Sequence, residues 1–264
     1  MKRVDLMQVN HKVQIGDVCE YKEPNVTEDC IFYENGKPIG FYLTRMPEKM
    51  CKLADLANAE FRSNNVPKSL MTRRTGDGKD EKTGKYKYKN EVEQLSSILG
   101  ACPPKPHMKR PYPSISSVHS VKTAQTFIKS MLMLAKESEQ LIYQILPEQY
   151  EEQLKIFNNI PNQWKFGNLF TSSISNYNIS APYHRDTKNI IGTVNVIICK
   201  KFNSIGGDLN IPDYNATIGQ QDNSILVYPA WKNIHGVTPI IPTNEGGYRN
   251  SLVFYPLKAF VGLK

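Results

Sequence analysis

A chain of 264 residues with a net charge of +8 and a pI near 9.1 can bury a sizeable core, as one large domain or two small ones. No apolar run approaches the roughly 18 residues of a membrane span. The start, Met1-Lys2-Arg3-Val4-Asp5, lacks the apolar stretch of a secretory signal. Five scattered cysteines without a CxxC pair argue against a zinc knuckle and fit reduced thiols in a cytoplasmic or nuclear setting. The basic balance suits a polyanionic partner without requiring one.

In chain order, Ile31-Phe32-Tyr33 and Pro38 to Leu43 flank Asn35-Gly36, which predicts a hairpin. Pro47 can open a helix, and Met50, Leu53, Ala54, Ala57 and Phe61 share one face of it, so a helix is expected at about 47–62. Residues 67–90 change character. Eight basic residues, Arg73 and Arg74 among them, stand against three acids, with glycines and with Tyr86 and Tyr88 interleaved. The stretch reads as a long polar loop, either simply solvated or contacting phosphates. A second basic segment, Lys105, Lys109 and Arg110, lies among prolines that favour an extended path.

Val121 to Leu146 carries a helical stripe, and the methionines and leucines at 131–134 are expected to be core. Pro147 ends that helix, and Glu148 to Phe157 can add another turn or two. From Trp164 the pattern turns to β, with strands expected near 169–179, 191–199, 208–211, 224–229, 234–238 and 249–256. Many short strands with frequent turns and no βαβ alternation predict an α+β chain. A sandwich or closed roll would occupy 166–264, buttressed by strands, basic loops and helices of 1–165 within one compact domain.

The chemistry centres on Tyr183-His184-Arg185-Asp186-Thr187-Lys188-Asn189. In an extended strand His184 and Asp186 face one side while Arg185 faces away. With five histidines and ten aspartates, chance alone gives roughly 0.2 His-x-Asp pairs per chain, so the pair by itself is weak. His235 follows 49 residues after Asp186, and only these two histidines fall in the β half. Together they form a 2-His-1-carboxylate set suited to non-haem Fe(II). Arg249 opens a strand 14 residues after His235, with Ser251 on the same face, and such a pair can hold a carboxylate.

Three stretches resemble the TET/JBP group of Fe(II)- and 2-oxoglutarate-dependent nucleic-acid oxygenases. They are His184 to Asn189 with Thr193-Val194, His235-Gly236-Val237-Thr238-Pro239, and Arg249 to Tyr255. Gly206-Gly207-Asp208-Leu209 fits the family's glycine-rich hairpin. The resemblance implies that His184, Asp186 and His235 bind Fe(II), and that Arg249 and Ser251 bind the co-substrate 2-oxoglutarate. It implies a double-stranded β-helix (jelly-roll) oxygenase core, O₂ as the second co-substrate and DNA as partner. Asn189 would hydrogen-bond a flipped base and Tyr255 would pack against it, while Arg73, Arg74, Lys109 and Arg110 would hold phosphates. Two departures stand out. The family's base-contacting histidine two residues after the tyrosine is Leu257 here, and the Cys-rich zinc region is absent.

The expected activity is hydroxylation of the methyl group of 5-methylcytosine in DNA. Leu257 keeps the thymine methyl open as an alternative. A protein or small-molecule hydroxylase and a jelly-roll binding module with a vestigial site are weaker readings. The small size suits a viral or bacterial enzyme.

Overall fold

A computed structural model describes residues 1–71, 93–108 and 110–263. The first half holds β1 (Lys2–Asp5), β2 (Cys30–Glu34), β3 (Lys37–Leu43), α1 (Glu48–Arg62), β4 (Ser69–Leu70), β5 (Leu95–Cys102) and β6 (Ser114–Ile115). Two helices follow, α2 (Gln125–Ile145) and α3 (Pro147–Phe157). Next come β7 (Ser172–Tyr177), β8 (Ala181–His184), β9 (Asn195–Phe202), β10 (Ser204–Gly206) and β11 (Leu209–Ile211). The chain closes with β12 (Ala216–Ile218), β13 (Ile225–Tyr228), β14 (His235–Val237), β15 (Ile240–Pro242) and β16 (Tyr248–Tyr255).

The expected α+β jelly roll is present. A ten-stranded sheet runs β1-β2-β3-β13-β9-β16-β7-β5-β4, with β6 beside β5. A four-stranded sheet, β12-β11-β14-β8, faces it across a core that includes Phe32, Tyr42, Leu209, Ile211, Ile218 and Leu226. Helices α1 and α2 cover the other face of the large sheet, where Met50, Phe61, Phe127 and Met131 meet Val196, Ile198, Leu252 and Phe254. The N-terminal hairpin turns at Asn35 (φ 51) and Gly36 (φ 78), the pair of positive φ angles that a two-residue hairpin turn demands. It joins the jelly roll through antiparallel pairing of β3 with β13.

Several expectations shift. The helix at 47–62 forms, but α3 is a full eleven-residue helix because Pro147 sits at its first turn, where no amide is needed. On α2, Met131 and Leu134 are buried while Leu132 and Met133 are exposed, since a helix presents only part of its circumference to the sheet. The strand expected from 191 begins at Asn195, because Ile190 to Thr193 form a turn in which Gly192 takes φ +84 and Thr193 Oγ1 bonds the Ile190 carbonyl. The basic loop at 67–90 lies almost wholly outside the described residues, as do Arg73, Arg74 and Lys109.

Candidate metal centre and co-substrate cavity

The two candidate histidine ligands are directly opposite one another across the β8–β14 pair, His184 against His235. Their rings lie 4.4 Å apart between centroids. Each Nδ1 meets a backbone carbonyl two residues earlier, Pro182 O at 2.8 Å and Asn233 O at 3.0 Å. Those bonds fix Nδ1 as the protonated nitrogen in each ring and leave both Nε2 lone pairs for a metal. Burial, reinforced by His184, pushes the His235 imidazole down to about 3, so it is a neutral donor at physiological pH.

Asp186 completes the set by a route the sequence pattern does not contain. Strand β8 stops at His184, so the two ligands do not share a strand face. Instead the chain turns: the Asp186 amide bonds the Ala230 carbonyl, and the Asn189 amide bonds the Asp186 carbonyl at 2.9 Å. Arg185, expected to face away, lines the cavity mouth for the same reason. One ligand atom from each of His184, Asp186 and His235 lies within 4.8 Å of the others, and Asp186 Oδ1 is 3.6 Å from His184 Nε2. Two imidazoles and a carboxylate converging in this way suit Fe(II). Asp186 Oδ2 is turned the other way by Asn195, whose Nδ2 donates to it at 3.2 Å.

On β16 the alternation of side chains sends Arg249, Ser251, Val253 and Tyr255 into the same cavity, of about 400 Å³. Arg249 is buried and bonds Gln220 Oε1 through an NH2 nitrogen at 2.5 Å, while its Nε has no hydrogen-bond partner among the described residues. A buried guanidinium with a spare donor suits a carboxylate ligand. Gly207 makes room for it, since a Cβ there would lie 2.5 Å from Arg249 Cδ.

Asn189 also reaches this centre. Its Nδ2 donates to Asn195 Oδ1 at 2.8 Å and lies 3.5 Å from Asp186 Oδ2. Tyr255 lines the cavity, and burial, with Cys102 and Asp186 adding to it, raises its phenol. Leu257, largely buried, lines the cavity beside them and is bridged through its backbone to Asn189. Arg110 is exposed on the segment that pairs with Lys105, while Arg185 and Lys188 stand at the cavity mouth. Asn195, Gln220 and Tyr228 were not foreseen. Asn195 and Tyr228 stand opposite one another on β9 and β13, a pairing that no local sequence signal announces.

A family model for the TET/JBP oxygenase domain of the 2OGFeDO superfamily matches residues 105–258. That is more than half of the chain, and the chain belongs to this family. No curated protein sequence matches it. Among solved structures it is similar to NgTET1 in complex with 5mC DNA, at a TM-score of 0.59 and 13% identity, covering 93% of this chain and 83% of that one. A 2OG-Fe(II) oxygenase family oxidoreductase from Burkholderia pseudomallei follows at a TM-score of 0.43 and 11% identity, covering 82% and 84%. OsALKBH1 follows at 0.41 and 12%, covering 89% and 100%. At 13% identity the likeness to NgTET1 is one of fold.

Proposed function

We propose that the chain is an Fe(II)- and 2-oxoglutarate-dependent dioxygenase that hydroxylates the methyl group of 5-methylcytosine in DNA after the base flips out of the duplex. The observation that carries this reading is the convergence of the His184-Asp186-His235 set with Arg249 and Ser251 on one cavity. In it, residues 166–264 form the catalytic core of a single oxygenase domain. His184, Asp186 and His235 would hold the iron, a three-ligand set that suits the use of 2-oxoglutarate and O₂ as co-substrates. Bound there, Fe(II) would supply the redox chemistry by which oxidative decarboxylation of 2-oxoglutarate to succinate and CO₂ drives oxygen insertion into an unactivated C–H bond.

The protein's own part is binding and orientation. Arg249 and Ser251 take the distal carboxylate of 2-oxoglutarate. Ile174, Ile197 and Val253 line the cavity and keep water from the reacting methyl. Tyr255 offers the base an aromatic face, and a duplex base reaches such a site only when flipped. Asn189 reads its polar edge. Asp186 Oδ2 accepts from Asn195 Nδ2, so Asn195 Oδ1 must accept from Asn189 Nδ2, leaving Asn189 Oδ1 as an acceptor. An acceptor matches the amino group of cytosine and opposes the carbonyl of thymine at the same place. NgTET1, the fold relative above, is solved with 5mC DNA. Arg110 with Arg73, Arg74 and Lys109 contacts phosphates, which makes binding fall steeply with salt.

Mass spectrometry of bases after incubation with Fe(II), 2-oxoglutarate and either methylated or unmodified duplex tests this. Hydroxymethylcytosine from the methylated duplex is expected. Oxidised thymine alone would establish the second reading, which Leu257 keeps open by standing where the family has a base-contacting histidine. Turnover of 2-oxoglutarate on a protein or small molecule, with no DNA binding at low salt, would overturn both.

A further inference from the structure

Before β2 the chain runs as a strap over the small sheet, outside the segment matched by the family model. Strand β8, which carries His184, is the edge of that sheet. The strap covers this edge with a reciprocal backbone pair: the Gly16 amide bonds the Tyr183 carbonyl at 2.8 Å, and the Tyr183 amide bonds the Asp17 carbonyl at 2.9 Å. Cys19 then seats against Gly236, the residue after His235, so closely that a Cβ on Gly236 would lie 2.7 Å from Cys19 Cβ.

A second link ends on His235 itself. His11 Nε2 lies 2.6 Å from Asp213 Oδ1, and both side chains are largely buried. Asn233 Nδ2 donates to Asp213 Oδ2 at 2.6 Å, and the Ile234 amide also bonds this carboxylate. The Val9 amide bonds the Asp213 carbonyl at 2.8 Å, anchoring the strap to the same residue. Asp213 thus gathers a side-chain amide and a backbone amide from the two residues before His235. The carbonyl of one of them, Asn233, accepts the His235 Nδ1 proton. Whatever orients Asn233 orients the imidazole.

We propose that residues 9–19 are a working part of the metal centre, with His11, acting through Asp213 and Asn233, as a positioning residue for His235 while Gly16 and Asp17 pin the strand bearing His184. The inference rests on the metal assignment made above. A group bonded directly to a metal ligand, as Asn233 is to His235, is typically worth 10- to 100-fold in metal affinity, and Asp213 and His11 stand one and two bonds further out.

The test uses the full-length apoprotein and Co(II) as the probe, followed by calorimetry and by the visible absorption of the bound ion. Thermal midpoints of the metal-free forms are measured alongside. Asp213→Ala is expected to weaken Co(II) binding about 10-fold or more, and His11→Ala severalfold, with an altered Co(II) spectrum and metal-free midpoints close to wild type. His11→Gln, whose amide can still donate to Asp213, is expected to restore most of the affinity. Should Asp213→Ala fail to fold, the pair His11→Ala and His11→Gln decides on the same readouts. Wild-type affinity and spectrum in His11→Ala overturn the inference while leaving the metal site standing. A wild-type protein that binds no Co(II) overturns both.

Discussion

The two faces of β16 do different work. Arg249, Ser251, Val253 and Tyr255 look into the cavity, whereas Asn250, Leu252 and Phe254 look toward the helices. Leu252 and Phe254 are fully buried in the main core, and Asn250 sits in a hydrogen-bonded chain with Ser175 and Asn58. The period of two in an extended strand thus separates chemistry from stability within eight consecutive residues. Neighbouring substitutions on this strand should have unrelated consequences, and the same separation should hold across the whole sheet.

The largest effect is expected from His184→Ala, on the cavity side. Removing one of three ligands should abolish 2-oxoglutarate turnover and remove the stabilisation that added metal gives, about 2.7 kcal/mol at a hundred-fold excess over the dissociation constant. The metal-free protein should melt near wild type, because His184 is only half-buried and takes no part in the main core. Melting curves with and without Co(II) check this. Retained Fe(II)-dependent succinate production would break the assignment of the cavity face.

Leu252→Ala should do the opposite. A fully buried leucine in the core between sheet and helices leaves a cavity when truncated, at a cost of about 2–5 kcal/mol. Denaturant unfolding should show that loss while the Michaelis constant for 2-oxoglutarate stays unchanged. A shift of both together would mean that the two faces are coupled.

Arg249→Lys sharpens the contrast from the cavity side. A lysine keeps the charge but loses the planar fork and the bond to Gln220. The Michaelis constant for 2-oxoglutarate should rise roughly 10- to 100-fold, the worth of one or two hydrogen bonds to a charged group. Steady-state kinetics at saturating DNA measure it, and stability should change little.

This division also explains what could be read from the sequence. Sequence patterns carried far: Asn35-Gly36 marked the hairpin, the stripes of α1 and α2 marked those helices, and His184, Asp186, His235 and Arg249 were legible as candidates for one site. What local patterns cannot hold is pairing at a distance. Nothing in Leu95 to Cys102, a run rich in serine and glycine, announces the strand β5, whose Ser96 and Ser97 are buried against β7. Nothing near Cys30 tells that β1 lies parallel to β2. The shared-strand argument named residues that do converge, but for a reason the structure replaces, because Asp186 is aimed by a turn and by Ala230, 44 residues on. His11 escaped notice because its partner, Asp213, is 202 residues away.

At Asn195 the two proposed roles meet, since one side chain bonds both the carboxylate proposed to hold iron and the amide proposed to read the base. It sits on β9 with its amide on Asp186 and its carbonyl on Asn189. Asn195→Ala should weaken Co(II) binding about 10-fold by removing the 3.2 Å amide contact on Asp186 Oδ2, leaving Asn189 Nδ2 at 3.5 Å. It should also free the Asn189 carboxamide to turn over, so that donor and acceptor become interchangeable toward a base. The preference for methylated over unmodified duplex should therefore narrow severalfold, on top of any loss of overall rate. Product ratios from a mixed-substrate reaction measure this independently of how much active enzyme is present. A variant with weaker metal binding and an unchanged ratio would show that Asn189 is oriented by something other than Asn195. The link between the metal pole and the base pole of the cavity would then be lost.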